Sequence, residues 1–207
     1  PSEQGRLFSP TLNASQFYKP LVDGEKGCYA SHLQVCQWLL ESDHPAVVVL
    51  EDDVCLKPGF EAVVAAIAAL PQGWELIKLI GRIDAHEGDK LLCSKPLTDG
   101  FQLIDFTRVP SMTAGHVLSR SGARKLLDTR RPFGRPVDVD LRFWWEYPGG
   151  LHVQGVMPAV IALDETSQQS SIGSVNQRTF YASWRRFQHK ACYTILNYWH
   201  KKRHRDL

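Results

Sequence analysis

Tyr29, Leu33, Cys36 and Leu40 recur at the spacing of one helical face, and Glu41-Ser42-Asp43-His44-Pro45 closes that helix. Val47-Val48-Val49-Leu50 follows at once, four branched residues that predict a buried strand over 46–50. Phe60, Val63, Val64, Ile67 and Leu70 then mark a second helical face, ended by Pro71. Beyond it, residues 74–80 predict a strand, 84–88 a polar loop, and 91–93 and 101–106 two short strands joined by a Pro- and Gly-containing connection. A strand over 113–118 leads into a short helix over 121–128, capped by Ser119 or Ser121. After a loop broken by Pro132, Gly134 and Pro136, the pattern predicts a helix over 138–146, strands over 151–156 and 159–161, and a polar loop over 164–174. Helices and strands interleaved in this way predict an α/β domain with a largely parallel central sheet. Its bounds are 25–175, after an irregular segment over 1–24 with at most a short helix, and before a basic amphipathic helix and tail over 176–207.

Composition narrows the class. The 207 residues are 43% apolar and 22% charged, ordinary values for one globular domain. A net charge of +2 is too small to argue for a nucleic-acid partner, and none is expected. The charge is unevenly spread, because the chain ends in the basic run Lys201-Lys202-Arg203-His204-Arg205. Ahead of that run, Trp184, Phe187, Ala191, Ile195 and Tyr198 form an apolar stripe flanked by Arg185, Arg186 and Lys190. Such a helix suits an anionic membrane surface, and equally a helix packed on the domain with a solvated tail. The five cysteines are widely spaced and lack a CxxC pair, the pattern of reduced thiols in a cytosolic compartment. No apolar segment approaches the roughly 20 residues that span a bilayer, and the first twenty residues are too polar for a signal peptide. The expected location is cytoplasmic, peripheral on the cytoplasmic face of the inner membrane.

The chemistry-bearing residues fall in four places. Glu51-Asp52-Asp53 ends the first strand, and alternation along an extended chain puts Glu51 and Asp53 on one face and Asp52 on the other. Adjacent carboxylates repel unless a hard divalent ion such as Mg²⁺ or Mn²⁺ joins them, and a cation so held can hold a diphosphate. Gly24-Glu25-Lys26-Gly27-Cys28-Tyr29-Ala30-Ser31-His32 opens the first helix, where backbone N–H groups and the dipole favour an anion; a tight turn with Ser31 and His32 on the surface reads the same way. Asp138 and Asp140 stand at a predicted helix start, as N-caps or as a general base against an acceptor hydroxyl. Beside them Trp144-Trp145 fits either a sugar-stacking platform or a core corner. The loop Asp164-Glu165-Thr166-Ser167-Gln168-Gln169 carries hydrogen-bonding groups suited to sugar hydroxyls, Gln168 among them, or to solvent. His116, in an apolar strand, reads as a core residue.

Taken in order, Gly24-Glu25-x-Gly27-Cys28-x-x-Ser31-His32, Leu50-Glu51-Asp52-Asp53, Gly115-x-x-Leu118-Ser119-x-x-Gly122-Ala123-x-x-Leu126 and Pro136-Val137-Asp138-x-Asp140 closely resemble glycosyltransferase family 25, over roughly residues 20 to 175. That family includes bacterial lipooligosaccharide and lipopolysaccharide galactosyltransferases and collagen galactosyltransferases. The resemblance implies a GT-A-like nucleotide-sugar fold, a UDP-sugar donor that is often UDP-galactose, Mn²⁺ or Mg²⁺, and transfer with inversion onto a glycolipid or oligosaccharide acceptor. Carried over by position, Glu51 and Asp53 become metal ligands and Asp138 and Asp140 the catalytic acidic motif. Gly24, Glu25, Gly27, Ser31, His32 and Asp52 become donor- or substrate-binding residues, and Trp144 and Gln168 join them on the reading of their own positions. In one departure, nothing before Gly24 matches the buried Asn-Leu strand and Arg-rich helix with which members usually open, so the sheet is expected to lack that first strand. Two rivals are a noncatalytic sugar- or nucleotide-binding relative and a metal-dependent phosphohydrolase.

Overall fold

The computed structural model describes residues 7–80, 91–164 and 180–205. The predicted loop over 84–88, most of the 164–174 loop and Gln168 therefore lie outside the described residues.

A short helix α1 (Pro10–Gln16), capped by Ser9, precedes the long helix α2 (Asp23–Glu41). α2 begins earlier than the apolar spacing predicts because Glu25 accepts from the Val22 N–H at 3.0 Å and Asp23 and Glu25 complement the positive end of the dipole. Its buried face is Tyr29, Leu33, Cys36 and Leu39. The remaining strands are β1 (Ala46–Leu50), β2 (Val54–Leu56), β3 (Leu76–Lys78), β4 (Leu91–Thr98), β5 (Phe101–Phe106), β6 (Gly115–Ser119), β7 (Val153–Met157) and β8 (Ile161–Leu163). Helices α3 (Phe60–Ala68), α4 (Arg120–Thr129), the single turn α5 (Val137–Asp140) and α6 (Phe180–Arg205) complete the set. Ser119 caps α4 by accepting from the Gly122 N–H at 3.2 Å. Among the described residues no strand precedes β1.

Six strands form one sheet in the order β1-β6-β3-β7-β5-β4, while β2 and β8 pair separately. Adjacent residues of each central strand face opposite layers. Leu76, Ile104, Leu118 and Val153 join the core under α2 and α4, whereas Ile77, Leu103, Val117 and Val156 join the core under α3 with Val63 and Ile67.

The largely parallel sheet expected from the apolar runs is corrected here. Only β3 and β7 pair in parallel; every other pairing in the sheet is antiparallel. Continuous apolar strands report burial on both faces, and helices on both faces produce that burial whatever the strand direction. β1 is also an edge strand, half-buried along most of its length.

The helix expected over 138–146 is likewise corrected. α5 stops at Asp140 and a separate 3₁₀ turn occupies Trp144–Glu146. A continuous helix would hold Asp140 and Glu146 about 120° apart around its axis; the break lets both carboxylates meet Arg130 and Arg135.

Helix α4 approaches the sheet closely at Gly122, where an added Cβ would sit 2.5 Å from the Glu75 carbonyl oxygen. Gly122→Ala is expected to cost about 1–3 kcal/mol, read as a lower urea midpoint at unchanged slope. An unchanged midpoint would mean that this approach is not a tight constraint.

Candidate functional site

The acidic residues after β1 sit in a turn rather than an extended strand. The Glu51 N–H donates to the Ala114 carbonyl at 2.9 Å, and the Asp53 carbonyl accepts from the Asp164 N–H at 2.8 Å. The turn thus bridges the two sheets, one end on the approach to β6 and the other beyond β8. A cleft of about 360 Å³ opens there, lined by Glu51, Asp53, Asp138, Cys28 and Thr113 among others. Asp52 is exposed and does not line it. Glu51 and Asp53 therefore share a side, as expected, though a turn rather than strand alternation brings this about.

Each cleft residue has a structural support. The Thr113 hydroxyl donates to Glu51 Oε1 at 2.8 Å. Burial nevertheless raises the Glu51 pKa, and Asp53, Asp138 and Asp52 push it further in the same direction. Burial, with Glu51 and Asp138 nearby, lifts the Cys28 thiol to about 11. Met112, also on the cleft wall, has φ +80, a left-handed conformation that is uncommon for a side-chain-bearing residue. Its carbonyl is held by the buried Lys78 ammonium at 2.6 Å, which also reaches the Pro110 carbonyl at 2.6 Å and that of Ser111 at 3.3 Å. Sequence reading missed Lys78; a charged residue inside an apolar strand was the available signal.

An implied divalent cation can be tested against these groups. Asp53 Oδ1 is buried without a hydrogen-bond partner, the condition of a carboxylate oxygen awaiting a ligand. Glu51 also lies near Cys28 and His32, and one donor atom from each of the three falls within 4.8 Å of the others. Oxygen, sulfur and nitrogen donors together make a set compatible with a cation and softer than two carboxylates alone. By spacing, Glu51, Cys28 and His32 fit a cation, and Asp53 is not part of that group. Cys28 and His32 stand at i and i+4 on α2, the signal that could have marked them as a pair.

Asp138 and Asp140 part company. Asp138 is half-exposed, lines the cleft, and makes no hydrogen bond or ion pair among the described residues. Asp140 is 2% exposed and lines neither this cleft nor its neighbour. Its carboxylate accepts from Arg130 Nε at 2.6 Å, Arg135 Nη1 at 3.1 Å and the Tyr29 hydroxyl. The surroundings of Asp140 are those of a buried ion-pair network. The burial of Tyr29 beside it raises that phenol's pKa well above the usual value.

The other expected binding residues are scattered. Glu25 lines the cleft while bonding Lys19 at 3.0 Å. Gly24 and Ser31 are exposed on α2, and neither they nor Gly27 line the cleft. His32 stacks on His116 with ring centroids 5.4 Å apart, and burial lowers the pKa of both imidazoles. Trp144 occupies the core corner instead of a sugar platform: it is buried, and its indole N–H donates to Asn197 Oδ1 at 3.2 Å.

The comparison with known proteins decides the family. A family model described as Glycosyltransferase family 25 (LPS biosynthesis protein) matches residues 2–141. The chain belongs to glycosyltransferase family 25. Among curated family 25 proteins, it is 31% identical over 139 residues to an Aedes aegypti protein named Glycosyltransferase 25 family member, covering 66% of this chain and 22% of that one. Human procollagen galactosyltransferase 2 is 31% identical over 128 residues, 59% of this chain and 19% of the relative. A Bos taurus protein named Probable inactive glycosyltransferase 25 family member 3 is 30% identical over 126 residues, 59% of this chain and 20% of the relative. The chain thus spans about a fifth of the length of these curated relatives. The family-matched segment contains Cys28, Glu51, Asp53 and Asp138, and α6 lies beyond it. No helix among the described residues is long and apolar enough to cross a membrane.

The unequal surroundings of the two aspartates give a stability test. Asp140→Ala leaves two buried arginines with Glu146 as their one carboxylate and is expected to cost about 3–5 kcal/mol, whereas Asp138→Asn should fall within about 0.5 kcal/mol of the parent. Urea unfolding of both variants reads the difference; equal losses would refute the structural assignment of Asp140.

Proposed function

We propose that the acidic cleft is the transfer site of a family 25 glycosyltransferase, moving a hexosyl group from a UDP-sugar, UDP-galactose in the first instance, onto a lipooligosaccharide or lipopolysaccharide core acceptor. The observation that carries this reading is that Glu51, Asp53 and Asp138, distant in sequence, line one cleft. The α/β body with its acidic turn at the end of β1 serves as a GT-A-like donor platform. Glu51 and Asp53 would hold Mn²⁺ or Mg²⁺, with Cys28 and His32 in reach of Glu51. When bound, the cation supplies neutralisation of the charge on the departing diphosphate. Asp138 takes the proton from an acceptor hydroxyl, the freed oxygen forms a bond to the anomeric carbon, and the bond from that carbon to the UDP oxygen breaks with its electron pair leaving on UDP. A single displacement of this kind inverts the anomeric centre. Lys78 and Thr113 act by position, holding the 110–112 loop and the Glu51 carboxylate.

Acceptor-dependent consumption of UDP-galactose with Mn²⁺ tests the reading. Asp138→Asn is expected to lower kcat by about 10²–10⁴-fold, with KM for the donor changed by no more than about twofold. Full turnover in Asp138→Asn would remove the base. The name of the Bos taurus relative favours a second reading, a noncatalytic member; UDP binding in a calorimeter with no turnover on any acceptor is its signature.

The reading extends to a peripheral membrane contact through α6. Trp184, Phe187, Ile195 and Tyr198 are 52–71% exposed, Trp184 and Ile195 on the side of the helix opposite the buried Tyr193 and Asn197, and Phe187 and Tyr198 on the flank between. The helix contains no acidic residue, and Lys202 and Arg203 are exposed near its end. Aromatic and basic groups together favour an anionic lipid surface. Replacing Trp184, Phe187 and Ile195 together by Ser is expected to abolish sedimentation with phosphatidylglycerol vesicles; undiminished sedimentation would show that this stripe is not the contact.

A further inference from the structure

A second pocket, of about 210 Å³, shares one lining residue with the cleft, Asp138. Its chemistry is opposite to that of the cleft. Arg108, Arg142, Arg186 and Lys190 line it, and among the described residues none of the four is within ion-pair distance of a carboxylate. Arg108 and Arg142 both lie over the ring of Tyr193, at 4.8 Å and 4.3 Å from its centroid. Two guanidinium groups sharing one ring repel each other, and the ring offsets only part of that cost. Tyr193 is 4% exposed with its hydroxyl buried and unpartnered, and Arg142 Nε is likewise buried and unpartnered. Buried donors without acceptors, beside unneutralised cations, describe a site short of an anion.

The position of Asp138 says which anion. A general base must face the hydroxyl that it deprotonates, so the acceptor occupies the side of Asp138 away from the carboxylates that grip the donor. We propose that this basic, aromatic pocket is the acceptor subsite and that it takes a phosphorylated saccharide, the phosphate held by Arg108 and Arg142 and the sugar lying towards Asp138. This inference rests on the transfer reading for the role of the sugar, while the anion subsite itself stands on the pocket alone. The phosphate could instead come from the donor diphosphate, and the two sources make different demands.

The test has two arms, on the full chain. In the first, inorganic phosphate is titrated into metal-free protein and followed by calorimetry. Arg108→Gln with Arg142→Gln is expected to weaken binding at least about tenfold, Arg108→Lys with Arg142→Lys to restore part of it, and Asp138→Asn to leave it unchanged or tighten it by removing a negative neighbour. A circular dichroism melt confirms that each variant is folded. Phosphate affinity equal in the glutamine double variant and the parent would overturn the subsite. In the second arm, turnover is measured on a phosphorylated core oligosaccharide before and after phosphatase treatment. The acceptor KM is expected to rise about tenfold or more on dephosphorylation in the parent and to be insensitive to it in the double variant. A rise confined to the donor KM in the double variant would assign the pocket to the diphosphate and overturn the proposal. Arginine-dependent phosphate binding with no turnover on any acceptor would support the anion subsite and count against the transfer reading.

Discussion

The carboxylate of Asp140 is the point on which this part of the molecule turns. It is enclosed by Arg130, Arg135 and the Tyr29 hydroxyl, and both arginines continue to Glu146, so two buried cations meet two carboxylates. The groups arrive from α2, from the connection after α4, from α5 and from the 3₁₀ turn. Tyr29 also stacks flat on Phe133, with centroids 4.1 Å apart. Replacing such a network with apolar groups need not cost stability, but removing a single member leaves a charge stranded in a medium that solvates it poorly. The network therefore specifies one arrangement of four segments. Asp138 is two residues away on the same turn, so the network that encloses Asp140 also fixes where Asp138 meets the cleft.

A similar division of labour holds on the opposite wall of the cleft. Lys78 donates to three backbone carbonyls of the 110–112 loop, and desolvation pulls its pKa down to about 7, with Arg142 acting the same way and Asp138 and Glu51 opposing it. The Met112 backbone is held in an unfavourable region by the same contacts. One residue on, Thr113 orients Glu51. Buried polar groups on both sides thus fix the cleft, while Asp53 Oδ1 is left without a hydrogen-bond partner and Asp138 is half-exposed on its wall.

Much of this was legible in the chain. The helix face of Tyr29, Leu33 and Cys36, the strand at 46–50, the α3 face and the Ser119 cap follow from local periodicity and local hydrogen bonding, and the structure contains them. The convergence of Glu51, Asp53 and Asp138 was readable only as ordered motifs, because nothing local to residue 53 refers to residue 138. Strand direction was not readable: Val47 to Leu50 records the helices that cover the sheet and carries no sign of its antiparallel partner β6. Nor could spacing separate Asp138 from Asp140, since the difference lies in Arg130 and Arg135, whose approach depends on the fold. Trp144 illustrates the same limit. A tandem tryptophan fits a platform or a corner until Asn197 arrives from α6 to take its N–H.

Helix α6 joins the two proposed partners. Tyr193, Arg186 and Lys190 reach the basic pocket from it, while Trp184 and Ile195 lie on the opposite side, with Phe187 and Tyr198 exposed beside them. A helix is about 10–12 Å across with its side chains, so whatever meets the outer stripe is held about that far from the pocket. On this reading, a glycolipid acceptor anchored in an anionic surface meets the enzyme at the helix that lies on that surface. The bound sugar then has one helix diameter to cross before reaching Asp138. Membrane contact and acceptor choice would be two consequences of the same amphipathic helix, one for each face.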